Sequence, residues 1–87
     1  MQIEQDRIAS VIPVEIAKTL DGLFKERVQR SPQKEAYRYF HPISEQWSGY
    51  TWEQINQFVA RWQAALVKES LVPGDRVAVM MRNCPEW

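Results

Sequence analysis

The sequence predicts a mixed α/β fold, a β-hairpin followed by a right-handed βαβ crossover, and three observations carry that expectation. Two aromatic-rich stretches, Glu35–Phe40 (EAYRYF) and Gln46–Thr51 (QWSGYT), have strand character and flank a short polar loop. A capping sequence at Thr51–Gln54 (TWEQ) opens a long amphipathic stretch. The last sixteen residues, VPGDRVAVMMRNCPEW, join a turn, an apolar run of strand length and a second helix start. The run, Val77–Met81, suits a strand covered on both faces, as in a parallel sheet. It is too apolar for an unprotected edge. The chain therefore reads as the opening part of a larger α/β fold, with residues 1–18 as an N-terminal arm and 19–87 as the first portion of the domain.

In the arm, Ile8–Ala17 (IASVIPVEIA) is apolar but broken by Pro13, which blocks a continuous helix. It can lie along the body of the protein, meet a second subunit, or form a shallow membrane foot, although the basic face usual for a membrane-surface helix is missing. Thr19 is a good N-cap for a helix carrying Leu20, Leu23, Phe24 and Val28 on one stripe and ending ahead of Pro32. Lys25, Arg27 and Arg30 gather toward its C-terminus, where they complement the helix dipole. A solvated helix face accounts for them better than an anionic partner.

In the hairpin, alternation puts Tyr37 and Tyr39 on one face and Ala36, Arg38 and Phe40 on the other, with Trp47 and Tyr50 placed for cross-strand contacts. Packing explains this pattern better than a stacking platform for bases, because the chain has no net positive charge. The capping box then starts a helix expected to reach about Ser70, with Ile55, Phe58, Val59, Trp62 and Leu66 on one face. Were all five buried, they would supply about 7 to 15 kcal/mol before ordering entropy is subtracted. A face of this kind packs on a sheet or docks a partner, and the strand that follows favours the sheet. Pro73 and Gly74 make the next turn, and Asn83 has the chemistry to cap a further helix with Pro85 and Glu86 in its first turn.

Composition narrows the function. The chain has 87 residues, 45% of them hydrophobic and 25% charged, which is the profile of a folded globular protein. Its 11 basic and 11 acidic side chains cancel, which removes the main driving force for nucleic-acid binding. Cys84 and His41 are each the only residue of their type, so they build neither a disulfide framework nor a Cys/His metal site. A reducing, cytoplasmic setting follows. Cys84 has no visible base to activate it and reads as a small residue beside a cap, and His41 reads as a loop residue. No apolar stretch is long enough to span a membrane, and the N-terminus lacks a secretory pattern. Gly22, Gly49 and Gly74 are isolated, so no loop offers successive amides to a phosphate, and no Ser-His-Asp or metal-ligand spacing occurs. No catalytic, cofactor-binding or metal residue is assigned.

The order of these motifs carries a resemblance. A helix ending in Ser31-Pro32, a hairpin, YTWEQI opening a long helix, and LVPGDRVAVMMRNCPEW resemble the N-terminal end of the adenylate-forming superfamily, the acyl-CoA synthetases and their relatives. Within it, TLDGLFKERVQRSPQKEAYRY and YTWEQINQFVARWQAAL are most similar to bacterial long-chain fatty acid CoA ligases. The likeness runs from Thr19 to Trp87. It implies a parent enzyme that uses ATP and magnesium to convert a carboxylic acid to an acyl-adenylate and pyrophosphate, then passes the acyl group to the thiol of coenzyme A. In that family the phosphate loop, the ribose-holding acid and the catalytic lysine lie downstream of the motifs present here. Carried over onto this chain, Gly74, Asp75, Arg76 and Asn83 match the pattern as turn, salt-link and cap residues.

The expectation is thus the N-terminal part of an acid-thiol ligase, inactive on its own and holding no cofactor by itself. Its partners would be the rest of the parent and a second copy joined through the apolar strand or the arm, with no nucleic acid and at most a peripheral membrane contact. Two alternatives stand beside it. One is a free-standing interaction domain that docks through the 52–70 helix or the aromatic hairpin, and the other is a relative that activates a different acid.

Overall fold

Local signals decide where each element begins. The computed structural model describes residues 10–87. Among them α1 spans Val14–Ala17, α2 Leu20–Arg30, β1 Glu35–His41, β2 Gln46–Thr51 and α3 Trp52–Val67. They form two units, residues up to Pro32 and Gln33–Trp87. The mixed helix and strand class is as expected.

In the first unit, Pro13 at φ −65° leads into the single turn of α1, and Lys18 at φ 64° ends it. Residues 1–9, which include the start of the apolar Ile8–Ala17 arm, lie outside the described residues. The Thr19 hydroxyl accepts from the Gly22 amide at 2.9 Å, so α2 starts where its cap predicts. Glycine is required at position 22, since a Cβ there would stand 1.9 Å from the Ala17 carbonyl oxygen. Of the basic residues expected on a solvated face, Lys25 is one, paired only with Asp21 at 2.9 Å. Arg27 and Arg30 instead donate to the carbonyls of Ser10 and Val11, tying the segment ahead of α1 to α2.

In the second unit, β1 and β2 pair antiparallel, with Tyr37 opposite Tyr50, Phe40 opposite Trp47 and His41 opposite Gln46. The register shifts between Glu35 and Tyr37, a bulge at the mouth of the hairpin. His41, expected in the loop, closes β1 as its last residue. The predicted cross-strand aromatics meet, Tyr39 stacking on Tyr50 at 5.2 Å and Phe40 tilting against Trp47 at 5.5 Å.

The capping box of α3 forms in full. The Thr51 hydroxyl accepts from the Gln54 amide at 3.2 Å, while the Gln54 side chain accepts from the Thr51 amide at 2.9 Å. The helix ends at Val67, short of Ser70, because Lys68 turns as its C-cap and Ser70 takes φ 55°. Its apolar stripe is covered only at its start. Ile55 is 7% exposed, Phe58 and Val59 are half-buried, and Trp62 is 59% exposed. The hydrophobic gain is accordingly well below what five buried side chains would provide.

Two expectations for the last sixteen residues fail. Val77–Met81 forms no strand, so the βαβ crossover is not made, and among the described residues the sheet has two strands. A strand exists only by pairing, and among the described residues no strand pairs with this run. Asn83 caps no helix either. Cys84–Trp87 closes instead as a single turn, the Trp87 amide donating to the Cys84 carbonyl at 3.0 Å, with Pro85 supplying its fixed φ. The Val72–Asp75 turn does form, with Gly74 at φ 94° and the Asp75 amide on the Val72 carbonyl at 3.1 Å.

Candidate functional site

The inner face of the hairpin and α3 frame a concavity of the second unit. Alternation along β1 and β2 directs Tyr37, Tyr39 and Tyr50 to the face where α3 packs. Tyr50 meets the Phe58 ring edge-on at 5.1 Å, and Tyr37 leans on Trp52 at 6.2 Å. The Arg61 guanidinium lies 5.5 Å above Phe58, a cation–π contact three residues along the same helix face. Pro85 and Trp87 reach the groove from the final turn. Its volume is about 710 Å³, and it opens to solvent beside Trp62 and Ala65.

Tyr37, Tyr50, Arg61 and Glu86 bring polar groups to this groove, and Tyr39 stands beside Tyr50. The Tyr39 and Tyr50 hydroxyls are 3.5 Å apart, at the long limit of a hydrogen bond. Tyr50 is pushed up to about 12 by that hydrogen bond first, then by burial, then by the charges of Tyr39 and Glu86. The Tyr50 phenol is therefore neutral at physiological pH. The sequence reading assigned Tyr50 to cross-strand packing and missed its pairing with Tyr39. The pairing is diagonal, since Tyr37 stands directly opposite Tyr50 and Tyr39 opposite Ser48, and it follows from the register of the folded hairpin.

Such an arrangement can hold an apolar or aromatic group and offer it hydroxyl contacts. No set of three or more His, Cys, Asp or Glu residues among the described ones could hold a metal. Cys84 is half-buried in its turn and His41 is exposed as the last residue of β1, and both line a second concavity on the hairpin. Of the residues matched to a known pattern, Gly74 does serve as the turn residue. Asp75 makes no salt link with Arg76. Its carboxylate accepts from the Val72 amide at 3.0 Å and clasps the turn from within. Asn83 caps nothing, as described above. The three glycines lie in three separate elements, Gly22 in α2, Gly49 in β2 and Gly74 in a turn, and present no consecutive amides to a phosphate. The described residues therefore do not fit a nucleotide, and no helix among them is long and apolar enough to cross a membrane.

Comparison with known proteins adds one finding. A family model described as AMP-binding enzyme matches residues 24–87, from inside α2 through the hairpin, α3 and the final turn. No curated protein and no solved structure matches the chain.

Proposed function

Since the chain belongs to the AMP-binding enzyme family, whose members form adenylates from ATP, we propose that it is the N-terminal segment of an acyl-CoA synthetase acting on a long-chain fatty acid. The family match carries this reading, and the motifs from Thr19 to Trp87 give it its direction toward long-chain acids. In the whole enzyme a carboxylate would be activated by ATP with magnesium, releasing pyrophosphate, and the acyl group would pass to the coenzyme A thiol. AMP is a far better leaving group than a carboxylate oxygen, provided that fixed donors and a metal stabilise its phosphate charge. No step of that chemistry is assigned to the residues described above, since they provide neither a phosphate cradle nor a general base. Their part is architectural. The parent works in the cytoplasm, with at most a peripheral contact to the membrane that stores its substrate.

Pyrophosphate exchange into ATP, measured on the protein expressed from its whole reading frame, tests the reading. Palmitate, octanoate, acetate and benzoate serve as competing acids. Exchange should be fastest with palmitate, and adding coenzyme A should yield the thioester. Preference for a short or aromatic acid overturns the long-chain assignment, and an adenylate that never reaches coenzyme A overturns the acid-thiol ligase. The 87 residues alone should give neither product, and exchange by them would refute an architectural role.

A further inference from the structure

Arg27 joins two parts of the first unit. One guanidinium nitrogen donates to the Ser31 hydroxyl at 3.1 Å, and the other donates to the Ser10 carbonyl. Three residues on, Arg30 donates to the Val11 carbonyl at 3.4 Å and pairs with Glu26 at 2.9 Å. Of the apolar side chains beside these bonds, Ile12 is half-buried, while Val11 is 60% and Val14 78% exposed. Polar bonds therefore supply much of the hold on residues 10–13, and the arginine that makes one of them also touches a serine hydroxyl.

Ser31 has the surroundings of a modifiable residue. It ends α2 as the C-cap, at φ −136° and ψ 52°, and opens the segment 31–34, which is neither helix nor strand. Its side chain is half-buried beside Arg27, and its oxygen is the acceptor of that bond.

We propose that Ser31 is phosphorylated by a serine kinase and that the phosphate frees residues 10–13 from α2. In that step the Ser31 oxygen bonds to the γ-phosphorus of ATP as the bond from that phosphorus to ADP breaks, and the hydroxyl proton passes to a base of the kinase. The product carries a charge of about −1.5 to −2 and three strong acceptor oxygens at the atom Arg27 already contacts. A charged acceptor outcompetes a neutral carbonyl for a guanidinium, and phosphate takes both prongs of the fork that Arg27 now divides between Ser31 and Ser10. The phosphate also meets the negative end of the α2 dipole, which draws Arg30 toward it and away from its long bond to Val11. The segment ahead of α1 then loses both fastenings.

Hydrogen exchange on the protein expressed from its whole reading frame, with phosphoserine installed at position 31 during translation, tests the proposal. The Ile16, Ala17 and Lys18 amides, which close α1 on the Pro13 and Val14 carbonyls, should exchange several-fold faster, while the Gln54 amide that starts α3 should not change. Arg27→Gln should reproduce that rise without phosphate, and phosphoserine added to it should bring no more. If Arg27→Gln also exposes the Leu23 amide inside α2, Arg27→Lys makes the same comparison, since it keeps the charge and loses the fork. Ser31→Ala leaves Arg27 on the Ser10 carbonyl and should keep α1 protected. Mass spectrometry of the protein isolated from its own cells should find phosphate on the peptide that holds Ser31. Unchanged α1 exchange in the phosphoserine protein, a further rise when the phosphate is added to both arginine variants, an α1 that opens in Ser31→Ala, or a native protein without phosphate at Ser31 would each overturn the proposal.

Discussion

Replacing Thr51 with alanine removes half of a reciprocal pair at the junction of β2 and α3. The hydroxyl that accepts from the Gln54 amide at 3.2 Å is lost, and the Gln54 side chain remains on the Thr51 amide at 2.9 Å with nothing holding the first turn in place. Loss of an N-cap of this kind costs about 1 kcal/mol. A chain this short unfolds in urea with a slope at the low end of the usual range, about 1 kcal/mol per molar, so the midpoint should fall by about 1 M. Tryptophan fluorescence reports the event locally through Trp52, the first residue of α3, and circular dichroism reports the helix itself. Protein concentration must be held fixed, because any self-association raises apparent stability. Thr51→Ser keeps the oxygen and should recover most of the loss. Gln54→Ala should cost less than Thr51→Ala, and the double variant should cost less than the sum, since the two bonds brace one turn. An unchanged midpoint for Thr51→Ala, or a serine variant as weak as the alanine one, would refute a capping role.

Two further outcomes follow from the geometry. Gly22→Ala sets a Cβ against the Ala17 carbonyl and must push α1 and α2 apart at Lys18, so α2 helicity should drop while the aromatic signals of the hairpin persist; an undisturbed far-ultraviolet spectrum would show that the two helices part freely. Tyr50 should titrate near 12 in the absorbance of tyrosinate, and Tyr39→Phe should bring it back toward the ordinary value of about 10. Because the folded value is raised, the stability linked to Tyr50 is complete below about pH 10 and is lost as pH climbs from there to about 12. A Tyr50 that titrates at the ordinary value, or one that Tyr39→Phe leaves unmoved, would contradict the paired hydroxyls.

The elements that could be read from sequence are those whose causes lie within a few residues. Thr19 and Thr51 each find their amide three positions on, so both helix starts fall where expected. The hairpin is equally local, a four-residue connection joining two strands of alternating aromatics. Val67 ends α3 earlier than the apolar spacing suggests, because spacing shows which residues could share a face and not whether anything covers them. Trp62 illustrates the point, belonging to the stripe by position and to the surface by exposure. Val77–Met81 goes further. Its composition is that of a strand, but a strand is a relation between two segments, and sequence supplies only one side of it. The same limit applies to the site. The absence of a phosphate-holding glycine loop was legible in three scattered glycines, whereas the Tyr39–Tyr50 hydroxyl pair depended on a register that only the folded hairpin establishes.

The hairpin and α3 are bound together by neighbours in the chain. Tyr37 reaches Trp52, Tyr50 reaches Phe58, and the hydrogen bond from Gln33 to Glu53 bridges a separation of 20 residues. Little loop entropy has to be spent before these contacts form, which places them among the fast events of folding. During synthesis this small aromatic scaffold is complete once Val67 has left the ribosome. It is then a ready-made surface on which whatever the ribosome delivers next can condense.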